Sequence, residues 1–192
     1  MNFWSTIKML FQALSKPKRH ILLPEIPEGC VLDIGGGGEG VIAQAGGPGV
    51  IAIDKFMSEV SEARGKAPGT TWLVADATAL PHPNNSMDHA TAFFSALYMS
   101  DDVKEKVFKE TWRVLKTGGE FWIWDVPMTT KSDVFAFRLQ VETPSISTIY
   151  GVKAKDQSAA TICNQLQAVG FETELITNDK NWFFIKAKNI PD

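Results

Sequence analysis

Three aspartates and a run of glycines carry the chemistry this chain can be expected to do. Asp33 interrupts the apolar stretch Val31-Leu32-Asp33-Ile34, and Gly35-Gly36-Gly37-Gly38-Glu39-Gly40 follows at once. An apolar run stopped by glycines reads as a buried strand entering a tight turn, where a missing Cβ lets the backbone approach a ligand. Gly35, Gly37 and Gly40 fit the G-x-G-x-x-G spacing of nucleotide-binding turns. Asp54 follows at about 20 residues, where a carboxylate can accept from both hydroxyls of a ribose. Asp76-Ala77 can serve an adenine, the side chain accepting from the amino group and the backbone amide donating to the ring. Each acid alone could be a helix cap at a strand-helix junction. Three of them at successive strand ends, beside a glycine turn, describe a site.

Asp33 separates two ligands. A nicotinamide dinucleotide puts a pyrophosphate at the glycine turn, held by helix amides and the helix dipole, and a carboxylate there would repel it. S-adenosylmethionine puts an ammonium and a carboxylate at the same place. Asp33 can accept from the ammonium while glycine amides take the carboxylate, so the fingerprint favours S-adenosylmethionine.

The elements that must hold these residues alternate regularly. Strands are expected at 31–34, 50–53, 71–75, 88–94 and 120–126, with Asp54 and Asp76 following the second and third. Helices are expected at 39–44, 58–64 and 102–115, the last capped by Asp101 or Asp102. This alternation predicts a Rossmann-like, doubly wound, mostly parallel sheet with helices on both faces. A further helix capped by Asp156 runs to Val169 and stops at Gly170. Strands at 171–177 and 182–188 follow, and the short joint between them allows only antiparallel pairing. The sheet therefore closes with an antiparallel C-terminal hairpin. A helix at 3–15 bears Phe3, Trp4, Ile7, Leu10, Phe11 and Leu14 on one face, which is expected to pack on the core rather than act as a lid. Pro17, Pro24 and Pro27 make the next stretch an extended linker. The single domain thus divides into 1–29 (helix and linker), 30–126 (cofactor core), 127–155 (substrate-facing segment) and 156–192 (last helix and hairpin). Phe135, Phe137 and Tyr150 could line an apolar pocket in the third part, or a short helix around 132–141 could pack there.

At this point a resemblance is plain. Leu80-Pro81-His82-Pro83-Asn84-Asn85-Ser86-Met87-Asp88 resembles "LPFPDNSFD", and Trp112-Arg113-Val114-Leu115-Lys116-Thr117-Gly118-Gly119 resembles a "RVLKPGG" turn. With Val31–Gly37, Asp54 and Asp76-Ala77, these motifs resemble class I S-adenosylmethionine-dependent methyltransferases, in the small-molecule group that includes ubiquinone/menaquinone biosynthesis enzymes. The resemblance implies a cofactor site of Asp33, Gly35, Gly36, Gly37, Asp54, Lys55, Asp76, Ala77 and Phe93. S-adenosylmethionine would be the cofactor, S-adenosylhomocysteine the product, and a small molecule the methyl acceptor. The family's D-x-G-x-G-x-G is altered here, with Glu39 in the third glycine's place and the glycine at Gly40. Where an apolar residue commonly packs on adenine stands Lys55, and Phe56 or Met57 could take over that packing.

No catalytic residue is assigned. Methyl transfer rests on placement of the nucleophile and exclusion of water, and a base is needed only where a proton leaves in the transition state. Tyr98 is the best of three candidates, with His82 and Tyr150. A formal charge of −3 gives no electrostatic footprint for nucleic acid. Scattered histidines and no Cys/His spacing point to no metal. The thiols Cys30 and Cys163 fit a reducing compartment. Neither a signal peptide nor a membrane span is expected, and the location expected is the cytoplasm. Two other readings compete: an NAD(P)-dependent short-chain oxidoreductase, and a non-catalytic cofactor-binding scaffold. The first needs a Tyr-x-x-x-Lys pair, whereas Tyr150 is followed by Lys153 and Lys155.

Overall fold

The structure, a computed structural model, describes residues 3–16, 18–130 and 133–190. A seven-stranded sheet runs through its centre. In chain order its strands are β2 (Val31–Ile34), β3 (Val50–Asp54), β4 (Thr71–Val74), β5 (Met87–Phe93), β6 (Leu115–Asp125), β9 (Phe171–Asn178) and β10 (Phe183–Asn189). Their spatial order is β4-β3-β2-β5-β6-β10-β9. Pairing is parallel from β4 to β6, and β10 lies antiparallel to both β6 and β9. The chain order reverses between β2 and β5, so the crevice outside their carboxyl ends is where such sheets bind ligands.

Helices α4 (Asp101–Val114) and α5 (Ala159–Val169) cover one face of the sheet. Val107 and Phe108 of α4 and Ile162 and Leu166 of α5 pack with Leu32, Ile34, Phe121 and Ile185 from the strands. The cap of α4 is Ser100, while the Asp101 carboxylate accepts from Lys104 and Gln165. The cap of α5 is Ser158 in a capping box with Thr161. Asp156, expected in that role, instead accepts from the Thr130 amide at 3.0 Å. Gly170 ends α5 in the left-handed region, as its position predicts.

The other face departs from expectation. Helix α2 (Val41–Gly46) covers part of it, and a second, three-stranded sheet covers much of the rest. That sheet is β1 (Arg19–Ile21), β7 (Val134–Val141) and β8 (Ile146–Lys153), in the order β1-β7-β8. The supposed linker therefore contains a strand, and no helix forms around 132–141. Leu139 and Val141 alternate there with half-buried Arg138 and Gln140, a period of two that only a strand satisfies. Phe137, 1% exposed, stacks on Tyr150 at 5.3 Å and leans on Phe94 at 5.6 Å. The Arg19 guanidinium lies 4.2 Å above the Phe137 ring, a cation–π contact on a desolvated face.

Helix α1 (Phe3–Leu14) packs on this second sheet through the face opposite to the expected one. Met9 and Ala13 are buried against Val134 and Ala136, and the Gln12 side chain accepts from the Ala136 amide at 2.9 Å. The apolar face turns outward: Trp4 and Phe11 are each 75% exposed, and Ile7, Leu10 and Leu14 are also exposed.

Candidate active site

The glycine turn leaves β2 and immediately bends back on its neighbour. The amides of Gly35 and Gly36 both donate to the Ile53 carbonyl, at 2.9 and 3.0 Å, and that of Gly38 donates to Glu59 at 3.0 Å. Only Gly37, of these four, has an amide with no protein acceptor among the described residues. Among the first four glycines, the Gly37 amide is therefore the donor left for a ligand. Space explains why glycines stand here. A Cβ on Gly36 would lie 2.2 Å from Asp33 Oδ2, and one on Gly37 would lie 2.5 Å from Glu59 Cβ and 2.8 Å from Asp54 Oδ2. Gly40 holds a φ of 60° as the residue before α2, so the helix starts at Val41 rather than near Glu39. The Glu39 carboxylate is held by Lys66 at 2.9 Å, and Lys66 Nζ also donates to the Gly38 carbonyl at 3.2 Å. The irregular third position is therefore anchored to α3 (Met57–Lys66) by an ion pair.

Asp33 is 1% exposed and faces Thr91, its register partner on β5 across the reversal point. The Thr91 hydroxyl donates to Asp33 Oδ1 at 2.8 Å. Burial pushes the carboxyl up to about 7, with Thr91 opposing the rise and Asp54 adding to it. Asp54 ends β3 with Oδ1 accepting from the Phe56 amide at 2.9 Å, a local turn that fixes the carboxylate's direction. Asp76 does the same after β4: its Oδ1 accepts from the Thr78 amide and hydroxyl at 2.9 and 2.8 Å. Those two donors hold the Asp76 carboxyl below its usual range.

All nine expected residues line one cleft of about 770 Å³ at the carboxyl ends of β2 to β5. Lys55 lines its edge and reaches over the Phe56 ring at 4.9 Å. Phe56 belongs to the lining and Met57 does not. Tyr98 belongs to it as well. His82 does not: its backbone carbonyl accepts from Arg113, and the residue serves the turn before β5.

Sequence reasoning missed several members of this lining. Ser95 donates to the Ile34 carbonyl at 2.7 Å and locks the end of β2 to the segment after β5. Phe94 beside it carries a φ of 48°, a left-handed backbone rare for a bulky residue, which turns its ring into the cluster with Phe137 and Tyr150. Thr148 and Ile149 of β8 complete the wall beside Tyr150, which the sequence did point to, so the second sheet lends residues to the cleft. Burial pushes the Tyr150 phenol up, which keeps it a neutral hydrogen-bond donor. The short alternation from Arg138 to Val141 was the signal that could have placed this sheet.

The charge of the lining tests which cofactor fits. Asp33, Glu39, Asp54, Glu59, Glu62 and Asp76 face the cleft, with Lys55 as the cation. Such a wall repels a pyrophosphate and suits a ligand bearing a sulfonium and an ammonium. S-adenosylmethionine fits this site and a dinucleotide does not.

Comparison with known proteins agrees with the geometry. Residues 32–123 match the methyltransferase domain family, a span that runs from β2 into β6. No curated protein sequence matches the chain. Among solved structures, a methyltransferase from Mesorhizobium loti superposes with a TM-score of 0.64 at 18% identity, covering 86% of this chain and 93% of that one. One from Methanosarcina mazei gives 0.62 at 18% identity, with 87% and 96% covered. The protein DhpI, solved as a complex with S-adenosylhomocysteine, gives 0.64 at 18% identity, with 85% and 78% covered. The reversed last strands, the glycine turn and the acid-lined cleft agree with these comparisons: residues 32–123 match a methyltransferase domain, and the chain has the fold of S-adenosylmethionine-dependent methyltransferases.

Proposed function

We propose that the cleft transfers a methyl group from S-adenosylmethionine to a small-molecule acceptor. The observation that carries this reading is the gathering of Asp33, Gly35–Gly37, Asp54, Asp76, Ala77 and Phe93 around one acid-lined cleft. In this reading Asp33 attracts the ammonium, Gly37 donates its amide to the carboxylate, Asp54 accepts from the ribose, and Asp76 with Ala77 meets the adenine. The cofactor supplies an electrophilic methyl group, so the chain need only align a nucleophile and keep water out. Phe93 lines the cofactor pocket near the methyl group, and Phe94, Tyr98 and Tyr150 beside it form the apolar side of the cleft and are assigned to the acceptor. Tyr150 holds a hydroxyl of the acceptor as a neutral donor and does not act as base. The segment 127–155 is the substrate-facing part, since its strand β8 lends three residues to the wall.

The test is a panel of small nucleophiles, with S-adenosylhomocysteine formation as readout. Turnover of a small molecule, lost on Tyr150→Ala with cofactor affinity retained, supports the assignment. Turnover confined to protein or RNA acceptors would overturn it.

A further inference from the structure

The outward face of α1 is built for a surface this chain does not supply. At about 100° per residue, Ile7, Leu10, Phe11 and Leu14 share an arc of about 100°, while Met9 and Ala13 hold the helix to β7 from the opposite side. Phe11 is 75%, Leu14 53% and Leu10 49% exposed. A contiguous apolar face of this breadth marks an interaction site rather than scattered exposure.

Charge says what covers it. Four of the chain's 19 lysines and arginines lie in residues 1–24 and none of its 22 acids, so the remaining residues carry a formal charge of −7. The asymmetry points towards an anionic partner. Arg19 is spent on the Phe135 and Phe137 rings, but Lys8, Lys16 and Lys18 are exposed. Their contacts within the chain are weak: Lys8 to the 94%-exposed Asp133 at 3.4 Å, Lys18 to Gln140 at 3.4 Å, and Lys16 at 5.7 Å from the Phe135 ring. A short helix with Ile, Leu and Phe on one face and lysines beside it is the pattern that lies in a lipid headgroup layer. No described helix is long and apolar enough to cross a membrane, so the contact would be peripheral.

We infer that α1 seats the protein on an anionic lipid bilayer, its apolar arc in the headgroup region and Lys8, Lys16 and Lys18 against the lipid charges. The sequence predicts no membrane span, and a peripheral contact needs none. Because α1 lies on the sheet that lends Thr148, Ile149 and Tyr150 to the cleft, docking would hold the acceptor side of the cleft close to the bilayer. The inference does not depend on the reaction assigned to the cleft.

The experiment is flotation of the full chain with vesicles of phosphatidylglycerol and phosphatidylcholine, against phosphatidylcholine alone, at low and high salt. Partition should be at least about tenfold stronger on the anionic vesicles and fall with salt. The double variant Phe11→Ser, Leu14→Ser should cut partition about tenfold or more, with an unchanged far-ultraviolet spectrum. Lys16→Glu with Lys18→Glu should erase the anionic preference. The inference is overturned if the wild type stays unbound at low salt, or if the serine variant binds as the wild type does. It is also overturned if the wild type is a dimer without vesicles and the serine variant a monomer, since the face would then belong to a second copy.

Discussion

The glycine turn and the second sheet line one cleft, yet they hold their residues by opposite means. At the turn, position is set by exclusion: side chains on Gly36 or Gly37 would collide with Asp33, Asp54 and Glu59, so backbone and carboxylates can share a small space. In the second sheet, position is set by filling, with Phe137 packed between Arg19, Tyr150 and Phe94. A site made by exclusion cannot tolerate added atoms, and one made by filling cannot tolerate lost ones.

Phe137→Ala should show the largest effect, because it removes a fully buried ring. We expect a loss of about 3–5 kcal/mol in urea unfolding, with cofactor affinity little changed in the folded fraction. A loss below about 1 kcal/mol would mean that the second sheet is not part of the cooperative unit. The complementary change is Gly36→Ala, which puts a methyl against the Asp33 carboxylate and should cost about 1–3 kcal/mol of stability. It should also weaken the cofactor by more than about tenfold, since Asp33 must move. Gly65→Ala is the control: it sits in α3, nothing lies within 4 Å of its Cβ position, and helix propensity favours alanine by about 1 kcal/mol.

Asp54→Ala tests one carboxylate of the cleft. Leaving the ribose hydroxyls without their acceptor should weaken cofactor binding by about 1–3 kcal/mol, measured by titration calorimetry. An unchanged affinity would remove Asp54 from the site.

A further test comes from pH. Asp33 and Asp125 are both fully buried, with carboxyls raised to about 7, chiefly by burial. Asp125 ends β6; its Oδ1 accepts from the Val126 amide at 2.7 Å and its Oδ2 has no partner among the described residues. Each binds a proton more tightly folded than unfolded. Their contribution to stability is therefore full below about pH 4 and is lost as pH rises towards 7. The unliganded protein should melt at a higher temperature at pH 5.5 than at pH 8, and Asp125→Asn should shrink the difference. Cofactor affinity should move the other way, because an ammonium is attracted by ionised Asp33. It should fall as pH drops from 8 to 6, and Asp33→Asn should flatten the profile.

The cofactor side was legible in the sequence because parallel strands buried on both faces are continuous apolar runs, and their ends carry chemistry that cannot be moved. Val31–Gly40, Asp54 and Asp76 needed no tertiary information to be found. The reversed hairpin was legible from its short joint. The second sheet was not, for two physical reasons. Its first strand follows Pro17, and a proline-rich stretch reads as an extended linker whether or not another strand pairs with it. In 134–141, Phe135, Ala136 and Phe137 form a continuous apolar run that masks the alternation beginning at Arg138. Helix α1 was found but turned the wrong way round, because amphipathicity says which face is apolar and not what covers it. The caps Ser100 and Ser158 were missed in favour of nearby aspartates, which are held elsewhere by Lys104, Gln165 and Thr130.

The central claim is that the acid-lined cleft holds S-adenosylmethionine. Calorimetric titration of the full chain with S-adenosylmethionine, S-adenosylhomocysteine and NAD measures it directly. The account predicts saturable one-to-one binding of the first two and none of NAD. Binding of NAD without the other two would contradict it, and binding of none of the three would leave the fold as a scaffold without its cofactor.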